Sequence, residues 1–174
     1  MFTKKNNMYL SLTLIVIFMI VIPSAFAHTG TGWTYGVHSP MKYYSYGTWT
    51  EVASAVTGWY NLGIHPYFQS GSTFEAKVWI YTLYSAEAYN GWWQECCYSG
   101  SNMIDSNIYL NTRNAPANSC CRQSVISHEL GHALGMAEDN SHFCHMHQGY
   151  SGRHDYGYES PGSAEKDWVD DNYS

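Results

Sequence analysis

His128-Glu129-Leu130-Gly131-His132-Ala133-Leu134-Gly135-Met136-Ala137-Glu138 is the stretch that decides how this chain folds. On a helix, two residues four apart share one face, about 6 Å apart along the axis. His128 and His132 therefore point the same way and can grip one metal ion, with Glu129 one position round beside it. Two imidazoles on a metal and a carboxylate over its bound water make up the donor set of a hydrolytic zinc site. A surface helix with two unrelated histidines is the bland alternative. Val125, Ile126, Leu130, Ala133 and Leu134 argue against it, because they form an apolar stripe at helical spacing that docks the helix. Gly135 can take φ > 0 where the helix must stop, turning the chain back to carry a third ligand under the metal.

Glu138 is the first choice for that third ligand, since a carboxylate binds zinc at about 2.0–2.2 Å and its reach is close to that of His. Asp139 and His142 are rivals one and four residues further on. A design with Glu159 or Glu165 from a later helix as third ligand leaves the Gly135-to-Glu138 spacing without a role.

HELGHALGMAE resembles the zinc-binding consensus of the metzincin metalloproteases, and HELGHALG is similar to the matrixin branch in particular. The family pattern is HExxHxxGxxH, followed by a Met on a tight turn beneath the metal. Met146-His147-Gln148-Gly149-Tyr150 resembles that turn, and Glu138 departs from the pattern by standing where the family usually has His. The resemblance implies an α+β fold: a twisted mixed β-sheet with a backing helix, an active-site helix and a C-terminal helix. It implies one catalytic Zn2+ held by His128, His132 and Glu138, with Glu129 as general base and Met146 below; calcium has no support in the sequence. It also implies an exposed edge strand near Ile108 to Thr112 that pairs with an extended peptide or protein substrate. It covers most of the chain after the leader and is strong from about Ile126 to Gly149.

Residues 1–27 read as a signal peptide. Lys4 and Lys5 form a basic start, Met8 to Ile22 is an almost unbroken apolar run, and Ala25-Phe26-Ala27 is a cleavage site. A run this short followed at once by such a site favours a cleaved leader over a membrane anchor. Secretion is the expectation, with no membrane attachment after cleavage and residues 28–174 forming one catalytic domain. Six Lys and Arg then face fourteen Asp and Glu, a net charge of −8 with His neutral. That balance gives no electrostatic case for nucleic acid. The 7 Trp and 16 Tyr suggest aromatic packing and an aromatic-lined cleft. About 100 residues lie between His28 and His128, and the sheet and first helix need nearly all of them, which leaves no room for a pro-segment.

Five cysteines, Cys96, Cys97, Cys120, Cys121 and Cys144, follow the leader. In an oxidising compartment they should pair, and neighbours seldom bond each other, so the 96/97 doublet is expected to cross-pair with 120/121. Cys144 is then the odd thiol, or takes one partner and frees another. The doublets lack C-x-x-C spacing and are poor zinc ligands.

Along the chain, Met41 to Tyr46 reads as a strand. Thr48 and Glu51 form a capping box opening a helix that buries Val52, Ala55, Val56 and Trp59 and stops at Gly63. Phe74 to Leu83 alternates as a central strand, Ser85 to Ser101 reads as a loop, and Ile108 to Asn111 as a second strand. Ser119 to Leu134 is the metal helix, and Ser163 to Tyr173 a last helix with Glu165 in its first turn.

The reaction these residues favour is peptide hydrolysis, with Glu129 moving the proton of the attacking water to the leaving amine. Tyr150 is the candidate for an added hydrogen bond to the developing oxyanion. Two other readings stand beside it: a non-catalytic peptide- or protein-binding domain on the same scaffold, and a copper site at His28 completed by His38 or His65.

Overall fold

The computed structural model describes residues 34–35, 40–47, 49–100, 102–141, 144–149, 153 and 157–173. The expected signal peptide at residues 1–27, and His28, His38, Thr48, His142 and Tyr150, lie outside the described residues.

Six strands form one mixed sheet: β1 (Thr34–Tyr35), β2 (Met41–Ser45), β3 (Phe68–Ser70), β4 (Val78–Leu83), β5 (Gly91–Ser99) and β6 (Asn102–Asn111). Its order is β1-β6-β4-β2-β3, with β5 paired to β6. All pairings are parallel except β5 with β6, which is antiparallel. Helix α1 (Glu51–Asn61) connects β2 to β3, α2 (Ser119–Ala133) follows β6, and α3 (Ser163–Tyr173) closes the described chain. This is an α+β domain.

Alternation decides which sheet face is covered. Met41, Val78, Ile80, Ile108 and Leu110 are buried and form the core with Trp59 of α1 and Ile126 and Leu130 of α2. The indole of Trp59 ties the helices together by donating to the Ser127 carbonyl at 3.0 Å. Elsewhere on the sheet the rings of Tyr46, Tyr81, Tyr109 and Trp92 stack in a row, with centroids 5.0, 5.4 and 4.8 Å apart. These cross-strand pairs hold neighbouring strands in register, so part of the aromatic content is spent on the sheet, while Tyr89, Trp92 and Trp93 line the cleft.

Three expectations about the strands need correction. Ser85 to Ser101 is not a loop throughout, because Gly91–Ser99 is strand β5. Its ladder with β6 overrides the weak strand preference of its Gly and Ser residues. In consequence Ile108 to Asn111 is not an edge: β4 pairs with it on one side and β5 on the other. The strand expected from Phe74 begins only at Val78. Phe74 is 99% exposed in a turn whose Ser72 N–H and Oγ donate to Glu75. The capping box expected of Thr48 and Glu51 rests on a residue outside the described ones; Glu51 itself opens α1 after Thr50. Its Oε1 accepts from Arg122 of α2 at 2.6 and 3.0 Å, a charge-assisted pair stronger than a neutral cap.

The doublets do not cross-pair either; all five cysteines are thiols. Each doublet's sulfurs face one another, Cys96 to Cys97 at 2.9 Å and Cys120 to Cys121 at 3.9 Å.

Candidate metal centre

Helix α2 starts at Asn118, whose side chain accepts from the Cys120 N–H at 3.1 Å, a standard N-cap bond. The helix is buried on more than its apolar stripe: Ser124, Ser127, His128 and Glu129 are covered too. It ends where the Gly135 spacing says it must. Gly135 has φ 96°, its N–H reaches the His132 carbonyl at 2.9 Å, and the Met136 N–H reaches Gly131 at 3.1 Å. That pair of bonds is the Schellman arrangement, which needs a left-handed residue. The chain then reverses, and Asp139 N–H donates to the Met146 carbonyl at 2.9 Å.

This reversal aims both imidazoles. His128 Nδ1 bonds the His145 carbonyl at 3.0 Å, and His132 Nδ1 bonds the Met136 carbonyl at 2.8 Å. A carbonyl only accepts, so each Nδ1 carries the hydrogen and each neutral ring turns a bare Nε2 lone pair outward. Those two Nε2 atoms lie 3.1 Å apart, and Glu138 Oε1 sits 3.3 and 3.4 Å from them. Glu138 Oε2 is buried with no hydrogen-bond partner among the described residues. Three acceptors converge with no donor among them, which is stable only around a cation.

Without a metal, protons have to serve. Burial, with the Arg153 charge, holds the His128 imidazole down to about 3. Burial opposes a charge on His132 as well, but its hydrogen bond to Glu138 and the Glu129 charge raise it above its ordinary value. At Glu138 burial is outweighed by the His128 and His132 bonds, leaving the carboxyl at about 2. One proton on His132 thus relieves part of the conflict, whereas a divalent ion would engage all three donors. The group His128, His132 and Glu138 could hold a metal ion. Two imidazoles and a carboxylate suit a borderline metal and leave a coordination position open.

Of the rivals for the third position, Asp139 is not among the converging donors, and its Oδ1 accepts from the Ser141 N–H at 3.0 Å. Glu165 is committed elsewhere, to the backbone N–H groups of His145 and Gly162 at 3.1 and 2.7 Å.

Glu129 is buried beside the triad. Burial pushes its carboxyl up to about 7, against the His132 and Arg153 charges and a hydrogen bond from the Trp93 backbone. Met146 is fully buried and lies against Gly131 of the metal helix. No protein-family model matches this chain, and no curated protein matches it. Its chemistry is read from the site alone.

That site opens into a cleft of about 560 Å³. His128, Glu129, His132 and Glu138 line it, along with the stretch from Ala88 to Trp93 and with Gln148 and Arg153. Sequence reasoning missed three of these supports. Gly91 lets β5 approach the helix, since a Cβ there would sit 2.8 Å from Val125 Cγ1 and 3.4 Å from Glu129 Cγ. Arg153 is buried and reaches Ser124 Oγ at 3.2 Å, bringing a positive charge to the cleft.

The third support is Asn111, fully buried at the end of β6. Its Nδ2 donates to the carbonyls of Ser85, Glu87 and Tyr89 at 3.2, 3.1 and 3.0 Å, and its Oδ1 accepts from the Ser85 and Arg113 N–H groups at 3.1 Å each. Asn114 and Arg113 add bonds to Glu87, Tyr89 and Ala86. Side chains at the end of β6 and just after it thus pin the loop that forms the cleft wall. The only sequence signal was an Asn-rich stretch after an apolar strand, a pattern too common to single out.

Proposed function

We propose that this chain is a secreted zinc-dependent endopeptidase with a metzincin-like, matrixin-related catalytic domain. The observation that carries the reading is the convergence of two imidazole Nε2 lone pairs and the Glu138 carboxylate, with the buried Glu129 beside them. The leader at residues 1–27 supports export.

When bound, zinc supplies Lewis acidity to the attacking water and to the scissile carbonyl. The remaining work falls to side chains. Glu129 takes a proton from the water as its oxygen adds to the carbonyl carbon, then delivers it to the amine nitrogen as the C–N bond breaks. Burial raises the proton affinity of Glu129, which suits it to both halves of that transfer. The His145 and Met136 carbonyls keep both imidazoles in the tautomer that offers Nε2.

The peptide-pairing role expected of Ile108 to Thr112 passes to β5. Among the described residues β5 pairs with β6 alone, and its Gly91 to Trp93 end lines the cleft. A free strand edge offers main-chain hydrogen bonds to an extended peptide with little regard to its sequence.

Casein digestion by the purified protein, with and without chelator, tests the reading. Cleavage should stop on chelation, return with added zinc, and be absent in Glu129→Gln. Digestion that is indifferent to chelator, or that persists in Glu129→Gln, would overturn it.

A further inference from the structure

Adjacent residues of a strand normally point to opposite faces, which keeps neighbouring side chains apart. Cys96 and Cys97 break that rule. In the β5–β6 ladder Glu95 faces Ser106 and Cys97 faces Asp105, so Cys96 is an extra residue without a partner. Such a bulge twists the strand locally and re-aims the side chains around it. Here it brings the two sulfurs to 2.9 Å, on residues that are both exposed. The second doublet differs: it lies in the first turn of α2, its sulfurs are 3.9 Å apart, and Cys121 is buried.

We propose that Cys96 and Cys97 form a vicinal dithiol–disulfide site on the edge strand, oxidised by small-molecule disulfides. One Cys sulfur attacks the disulfide RS–SR, giving Cys–S–SR and one RSH. The neighbouring sulfur then displaces the second RSH and closes the Cys96–Cys97 bond. Two thiols lose two hydrogens and two electrons, and the reagent disulfide gains both. The second step is fast because its nucleophile is already in place. The ring that forms includes the intervening peptide. Adjacent Cα atoms stand about 3.80 Å apart across a trans peptide, shorter than the usual disulfide span of about 4.4–6.8 Å. The closed bond is therefore strained and easily reduced, which makes the site reversible rather than a permanent staple.

Trypsin separates the doublets cleanly. Cleavage after Lys77 and Arg113 gives the peptide Val78 to Arg113 with Cys96 and Cys97, and the next cut, after Arg122, gives one with Cys120 and Cys121. The reduced full-length chain is incubated with oxidised glutathione, its thiols are blocked, and it is mapped without reduction. The expected result is a Val78 to Arg113 peptide two hydrogen masses lighter, carrying no glutathione and no blocking group. Cys96→Ser should instead retain one glutathione on Cys97. Two blocked thiols on that peptide, glutathione persisting in the unsubstituted protein, or a cross-link to the Cys120–Cys121 peptide or a second chain would each overturn the proposal.

Discussion

The Met146 sulfur occupies the space into which a Cβ on Gly131 would project, with Trp59 Cζ2 3.3 Å from the same point. Gly131 lies between His128 and His132 of the candidate metal site, so the helix carrying them rests directly on Met146. Gly131→Ala forces overlap at a packed contact, where overpacking costs about 1–3 kcal/mol. Chemical denaturation should show a loss of that size, and zinc affinity should fall with it. A variant as stable as the parent, binding zinc equally well, would show that Met146 does not support the helix.

Glu129→Gln keeps the shape of the side chain but removes its ability to accept a proton. Zinc content should be unchanged, because Glu129 is not among the three converging donors. The rate of peptide cleavage should drop by about 10²–10⁴, the span general-base catalysis supplies. A parallel loss of zinc would place Glu129 in the metal shell.

Replacing Asn111 by Leu deletes every bond from that side chain to the carbonyls of Ser85, Glu87 and Tyr89. Each buried polar group left unpaired costs about 1–3 kcal/mol, so the loop should loosen before the domain unfolds. Limited proteolysis should gain a cut between Ser85 and Asn90. Substrate KM should rise more than kcat falls if the wall binds substrate and the reaction takes place at His128, His132 and Glu138, as proposed. An unchanged digestion pattern would mean that Arg113 and Asn114 suffice.

The Glu51–Arg122 pair joins α1 to α2 and makes stability depend on acid. The Arg122 hydrogen bond, opposed by partial burial, holds the Glu51 carboxyl below its ordinary value of 4.5. A carboxylate whose folded pKa is depressed adds stability above its unfolded pKa and loses it as pH falls through the folded one. Denaturation midpoints should therefore decline below about pH 4.5, and Glu51→Gln should flatten that decline while lowering the midpoint at pH 7. A parallel pH dependence in both proteins would remove the pair from the acid response.

Local signals carried the sequence reading a long way. The three helices, Met41–Ser45, the Gly135 turn and the triad follow from spacing and from residues with special backbone freedom, all encoded within a few positions. What escaped depends on partners distant in sequence. Gly91–Ser99 becomes a strand only because β6 lies beside it, and that pairing in turn removes the edge expected at Ile108. Glu51 finds Arg122 across the helix interface, far along the chain. Asn111 and Arg153 matter through carbonyls and charges brought near by folding, which no window along the chain displays.

The central claim is that His128, His132 and Glu138 together hold one zinc ion. Zinc titration of the metal-stripped protein by calorimetry, alongside Glu138→Ala and Asp139→Ala, tests it most directly. One site per chain is expected, weakened at least about tenfold in Glu138→Ala as a ligand is lost, and nearly unchanged in Asp139→Ala. Zinc binding that survives Glu138→Ala at full affinity, or that vanishes in Asp139→Ala alone, would contradict it.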